Sequence, residues 1–278
     1  MNQPATVTPA NTKSYADNKM LSRKEGRVGY VIYNNVEKHN AVSLDMWEAA
    51  TGILDDYRND PEIFVVVVTG AGGKAFVSGA DISKFEKERS DEASVKRYSG
   101  IVEQAYAAFH EFPKPTIAMI RGYCIGGGMG LATCCDLRIA TEGSKFGVPA
   151  AKLGLGYAYP GLKRLVDIVG PSFAMEIFYT ARQFTAAEAQ TMGLVNRIVP
   201  DAPGELEKYV KDYADLIAGN APLTIKAAKA TVAEVVKEDG KRDIARSHAL
   251  VEACFNSKDY HEGRKAFMEK RKPVFTGT

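Results

Sequence analysis

Four glycines fall within five positions in the stretch RGYCIGGGMGLATCCD, residues 121 to 136: Gly126, Gly127, Gly128 and Gly130. They stand where a short apolar run gives way to a helix-like segment, and the turn itself contains no nucleophile and no base. What it offers is backbone. The first amides of a helix have no partners inside it and carry the positive end of its dipole. Without Cβ atoms at 126 to 128, a ligand atom can come close to them. Phosphate is one such ligand, but G-x-G-x-x-G fails at Leu131, and the earlier loop TGAGGKAF would need a glycine at 68 and a Ser or Thr at 75, where Val68 and Ala75 stand. Two uses of the glycines remain. They let strand and helix pack closely, or they aim N–H donors at negative charge that develops only in a transition state, as an oxyanion hole does. A second small, glycine-flanked turn, AFVSGADISKF at residues 75 to 85, favours the latter. It too follows a buried strand, at the carboxyl end where open α/β sheets bind ligands. Two such turns can each supply one N–H to a single carbonyl oxygen.

The elements that would hold these turns are legible from apolar periodicity. RVGYVIYN, from residue 27, alternates as a strand, VEKHNAVS breaks it, and Ser43 is placed to cap a helix over LDMWEAATGILDDYRND. IFVVVVTG is apolar without interruption between Pro61 and Gly70, the mark of a strand covered on both faces. The pattern then recurs: a helix near residues 91 to 111, the strand PTIAMIRG, the glycine turn, a helix to about Cys135, and the strand LRIAT. After SKFGVPAAKLGLGYAYPG the chain reads as helical to its end, with Thr185 and Glu188 forming a capping box and Gly193 a stop. The expected organisation is a flexible leader over 1–24, an α/β core over 25–200 and a helical region over 201–278, which either caps the core or forms a subunit interface.

Composition excludes several classes. Lys and Arg number 36 against 34 Asp and Glu, a net charge of +2 without a long basic block, so nucleic acid is not an expected partner. Cys124, Cys134, Cys135 and Cys254 lack zinc-site spacing and read as free thiols of a reducing compartment. With no signal-like leader and no apolar run of about 18 residues, no membrane segment is expected and the cytoplasm is the predicted location. His39, His110, His248 and His261 show no triad spacing, and no metal site is predicted.

The segments SGADI, IAMIRGYCIGGGMGLATCCDLRIA, FGVPAAKLGLG and FMEKRKPVF, in this order and spacing over residues 25 to 275, resemble the enoyl-CoA hydratase/isomerase family, the crotonases. The resemblance implies an α/β spiral of ββα units with a C-terminal helical trimerisation region, and a homotrimer or dimer of trimers. It also implies an acyl-CoA thioester substrate that brings the coenzyme A itself, with no bound prosthetic group. The thioester carbonyl would be held by the amides of Ala80 and Gly127. The coenzyme would lie over Lys38, Ala41, Ala80, Asp81 and Ile82, with Phe267 and Lys270 reaching it from a C-terminal segment, often that of a neighbouring subunit. Asp136 reads as structural, and Asp81 and Lys84 as coenzyme contacts or a helix cap.

The chain departs from the family where water is activated. The two glutamates of the hydrating members fall on Gly130 and Ala150, so neither general acid nor general base is carried over. Tyr157 matches a tyrosine of members that decarboxylate malonyl-type thioesters, where loss of CO₂ makes the enolate without a base; Tyr157 and Tyr159 equally suit the lining of an acyl pocket. The expectations are an enolate-stabilising enzyme of the hydratase/isomerase class, with a malonyl-type decarboxylase using Tyr157 as one alternative and a catalytically silent acyl-CoA-binding or assembly subunit as the other.

Overall fold

The computed structural model describes residues 11–84 and 91–278; residues 1–10 of the expected leader and Phe85, the last residue of the second turn, lie outside it. The chain enters through β1 (Thr12–Tyr15), β2 (Met20–Glu25) and β3 (Val28–Tyr33), followed by α1 (Leu44–Asn59). Three repeats come next: β4 (Val65–Gly70), β5 (Ala75–Val77) and α2 (Glu92–His110); β6 (Thr116–Ile120), β7 (Tyr123–Ile125) and α3 (Gly127–Cys134); β8 (Leu137–Thr141), β9 (Lys145–Gly147) and α4 (Tyr159–Thr180). The chain closes with β10 (Phe184–Thr185), α5 (Ala186–Thr191), β11 (Arg197–Val199), α6 (Glu205–Ala218), α7 (Pro222–Val235), α8 (Ile244–Phe255) and α9 (Lys258–Met268).

Each repeat sends its first strand to one sheet and its second to another. The seven-stranded sheet has the order β1-β2-β3-β4-β6-β8-β11 and the four-stranded sheet β10-β9-β7-β5. Pairing is parallel from β3 to β11 and among β5, β7 and β9, while β1 and β2 form an antiparallel edge. This is the ββα spiral that the family resemblance implies.

The apolar run of β4 divides by parity. Val66 and Val68 enter the core beneath α1 to α4, whereas Val65 and Val67 face the second core under α6, as strand geometry requires when both faces are covered. α6 closes that second face through Leu206, Val210, Ala214 and Ala218, four residues apart on one helical stripe. The core therefore does not end near residue 200, and what stands apart is α7 to α9.

Two other expectations need correction. Residues 12–24 are not a loose leader: β1 and β2 form a hairpin paired onto β3, with Met20 and Ser22 turned inward. Nor is the chain wholly helical after the VPAAKLG turn, since β11 adds a parallel strand beside β8 and β10 an antiparallel one beside β9. Among the described residues, no helix is long and apolar enough to cross a membrane.

Candidate active site

The two glycine turns leave adjacent strands of the smaller sheet, β5 and β7, and meet at their carboxyl ends. After β5, Gly79 takes a φ of +116°, which a side chain would resist. Val42 donates its N–H to the Gly79 carbonyl at 2.8 Å and accepts from the Asp81 N–H at 2.9 Å. Successive amides of an extended segment point opposite ways, so the Ala80 N–H faces away from Val42. After β7, the Gly126 N–H is held by the Gly147 carbonyl at 2.8 Å, and Gly130 closes the first turn of α3 onto Gly126 at 3.1 Å. The Gly127 N–H, at the start of that helix, has no acceptor within it.

Close packing accounts for one of these glycines and not for its neighbour. A Cβ at Gly128 would lie 2.0 Å from the Val77 carbonyl oxygen, so that glycine is needed for α3 to touch β5. At Gly127 the same atom would meet nothing closer than 3.5 Å, and its nearest backbone neighbour is Gly79 Cα at 3.7 Å. Close packing thus explains Gly128 and leaves Gly127 open at the cavity. The far end of α3 is fixed by the buried Arg138, whose guanidinium donates to the carbonyls of Ala132, Cys135 and Leu194 at 3.2, 2.6 and 2.6 Å. Asp136 holds the neighbouring β6 through Thr116 at 2.8 and 3.0 Å, a structural role as its setting predicts.

Ala80, Ile82, Gly127, Ala150 and Tyr157 all line one cavity of about 620 Å³. A side chain at Gly130 has no room: its Cβ would fall 2.7 Å from the Tyr106 hydroxyl and 2.9 Å from that ring. Tyr106 instead donates its hydroxyl to the Gly127 carbonyl at 3.0 Å and sets its ring edge against Trp47, with centroids 5.2 Å apart. Tyr157 packs edge-on against Phe178 at 4.9 Å. Burial raises both tyrosine pKa values above the ordinary 10.0, so both phenols are neutral proton donors near pH 7.

Sequence reasoning missed Tyr106, Glu103, Arg164 and Trp47, which line the same cavity. The first two lie on a face of α2 that also carries Val95, Tyr98, Ser99 and Val102, a helical spacing readable in the sequence. Among the described lining residues Glu103 is the one carboxylate and Arg164 the one cation, paired at 3.3 Å.

Toward the rim, Lys38 donates to Asp81 at 2.9 Å and to Ser83 at 2.6 Å. Burial would raise the Asp81 pKa, but the bonds from Ser83 and Lys38 outweigh it and hold the carboxyl below its ordinary value. Ala41 is buried, and the loop before it is held by Asn40, which donates to the carbonyls of Ala71 and Ala75 at 2.9 and 2.8 Å. Lys84 pairs with Asp45 at 3.3 Å. Ser43 caps α1 by position, yet its hydroxyl bonds Asp45. Phe267 and Lys270 are not brought to this site within one chain. Phe267, 82% exposed at the end of α9, lines a separate apolar groove with Leu223 and Phe255, and Lys270 follows it in an exposed turn.

The sequence model of the family described as "Enoyl-CoA hydratase/isomerase" matches residues 23–278. A short-chain-enoyl-CoA hydratase of Clostridium acetobutylicum is 33% identical over 255 residues, covering 92% of this chain and 96% of its own. A crotonyl-CoA hydratase of Syntrophomonas wolfei is 34% identical over 256 residues, covering 92% and 97%. The crystal structure of an enoyl-CoA hydratase from Bacillus anthracis superposes with a TM-score of 0.87 at 30% identity, over 94% of this chain and 100% of that one.

Proposed function

The chain belongs to the enoyl-CoA hydratase/isomerase family, and from that premise we propose that it binds the carbonyl of an acyl-CoA thioester between the amides of Ala80 and Gly127 and stabilises the enolate formed there. The observation that carries this reading is the meeting of the two turns: the Gly79–Ala80 backbone abuts Gly126 and Gly127 at the cavity wall. Each such donor is worth about 10²–10³ in rate. Coenzyme A arrives as part of the substrate, along Lys38, Ala41, Asp81 and Ile82.

Proton delivery to the enolate carbon falls to Tyr157, which lines the cavity as a neutral phenol. Hydration or isomerisation also needs a base, and the usual carboxylate positions hold Gly130 and Ala150. That absence favours a second reading, decarboxylation of a malonyl-type thioester: the bond to CO₂ breaks, its electron pair enters the enolate, and Tyr157 protonates the carbon. Four free cysteines among the described residues support a reducing, cytoplasmic setting.

Incubation with a panel of enoyl- and malonyl-type thioesters, followed by mass measurement of the products, decides the reaction. A gain of 18 Da, the mass of water, means hydration; a loss of 44 Da, the mass of CO₂, means decarboxylation; unchanged mass with a moved double bond means isomerisation. Saturable binding with no turnover would make the chain a binding or assembly subunit and overturn the catalytic reading.

A further inference from the structure

Arg164 has no place in the scheme above. It projects from α4 into the cavity at 9% side-chain exposure, and its only ion-pair partner among the described residues, Glu103, is 44% exposed and meets one nitrogen, Nη1, at 3.3 Å. The buried Nε has no acceptor among the described residues. Trp47, 2% exposed in the same cavity, likewise has an unpartnered Nε1–H. The walls around them are otherwise mainly apolar or aromatic, with glycines and alanines between. A guanidinium presents five N–H donors in a planar fork, and burying it with so few acceptors is costly. The cavity therefore carries two buried donors without an acceptor among the described residues, one of them on a cation whose single carboxylate partner there, Glu103, meets it at one nitrogen.

The position of Arg164 identifies that acceptor. Its guanidinium carbon lies 5.6 Å from the centre of the Tyr106 ring, and the hydroxyl of that ring bonds the Gly127 carbonyl. A Cβ built at Gly161 would lie 3.7 Å from Tyr157 and 4.0 Å from Nη2 of Arg164, so the cation and the phenol share one wall. Arg164 thus stands one tyrosine ring from the proposed thioester site and beside Tyr157, in a cavity that Lys38 and Asp81 do not line. A group reaching it belongs to the acyl chain and not to the coenzyme phosphates.

We propose that Arg164 binds a carboxylate at the far end of the acyl group, so that the substrate is the CoA thioester of a dicarboxylic acid. This rests on the acyl-CoA reading above and names its substrate class. Carboxylate is the planar, two-oxygen anion that a guanidinium fork matches. Glu103 neutralises the cation in the empty site and, being half in solvent, can give way to the ligand. The bound carboxylate is one the reaction retains, because a cation holding the departing group would stabilise the ground state and slow CO₂ loss.

Calorimetric titration with glutaryl-CoA and butyryl-CoA tests this, since neither has a double bond to hydrate. The wild-type protein should bind glutaryl-CoA about 10- to 100-fold more tightly, the range for hydrogen bonds to a charged group. Arg164→Met should bring the two affinities together while leaving butyryl-CoA bound. Equal wild-type affinities, or a preference that survives Arg164→Met, would overturn the proposal. If neither thioester binds, the acyl-CoA reading falls with it, whereas tight butyryl-CoA binding without preference sinks only the Arg164 assignment. Should Arg164→Met not fold, Arg164→Lys keeps the charge and loses the fork; its glutaryl-to-butyryl ratio must drop below the wild-type value, and an unchanged ratio counts against the proposal.

Discussion

At Gly130 two residue-scale effects oppose each other. Alanine in a helix is favoured over glycine by about 1 kcal/mol, but overpacking a filled site costs about 1–3 kcal/mol. The Tyr106 hydroxyl and ring stand 2.7 and 2.9 Å from the new methyl, closer than real contacts allow, so overpacking wins. Gly130→Ala is expected to lower urea-unfolding stability by about 1 kcal/mol net, and less in a Tyr106→Phe background that removes the nearest atom. No loss in the single variant would mean that Tyr106 is free to swing aside. The same geometry predicts that Gly130→Glu alone would meet the Tyr106 ring before its carboxylate reached the cavity. At Tyr157 the expectation concerns rate. A positioned general acid contributes about 10²–10⁴-fold, so Tyr157→Phe should lower kcat by at least about 10²-fold with KM little changed. The pKa is raised, and the donor is the protonated form. The tyrosine-dependent rate should therefore be full at neutral pH and fall only as pH rises beyond the ordinary 10.0. A Phe variant with wild-type kcat would confine Tyr157 to lining the pocket.

The elements that could be read from the sequence were those whose pattern is local. β4 and β6 are apolar on both faces because each parity of residue meets a different core, and the run IFVVVVTG states this without knowledge of the partners, whereas β3, which reads as alternating, is buried at all six residues. β11 is three residues long and β10 two, too short to carry a period, and β2 alternates buried with partly exposed residues in a chemically polar run. The two glycine turns could be found, but the convergence of Glu103 on α2 with Arg164 on α4 could not, since it depends on how two helices pack 61 residues apart in sequence. The capping box of α5 was local enough to foresee, and it has an acid signature. Backbone and side-chain bonds from Thr185, with the Arg182 guanidinium between them in strength, lower the Glu188 pKa from 4.5 to about 2. A lowered carboxylate pKa stabilises the fold fully above 4.5 and loses that contribution as pH falls toward 2. Thermal melts from pH 6 down to pH 3 should accordingly cost the wild type more than Glu188→Gln, and Thr185→Ala should cost about 1 kcal/mol at neutral pH. Parallel acid slopes for wild type and Glu188→Gln would dissociate the box from acid stability.

For the whole molecule, α7 to α9 pose a problem that a single chain does not solve. Their helices are amphipathic in sequence, yet Val232, Val235, Val251, Phe255, Phe267 and Met268 are all exposed, and an apolar groove of about 870 Å³ runs between them. A contiguous apolar surface of this kind marks an interface. Phe267 and Lys270, where the family resemblance implies coenzyme contacts, do not line their own chain's cavity. The family resemblance offers one arrangement that would account for both: α7 to α9 of one subunit would cover a neighbour, and Phe267 and Lys270 would complete the neighbour's coenzyme site. Light scattering on the eluting protein should then give the mass of a trimer or of a dimer of trimers. The double variant Val235→Glu and Phe255→Glu should shift it toward the single-chain mass while far-ultraviolet circular dichroism stays unchanged. The dissociated chain should show a raised KM for the acyl-CoA, because the borrowed contacts act on the coenzyme, and a kcat much nearer the wild-type value, because Ala80, Gly127 and Tyr157 come from one chain. A single-chain mass for the wild type, with full affinity for the thioester, would require the coenzyme to be held without Phe267 and Lys270.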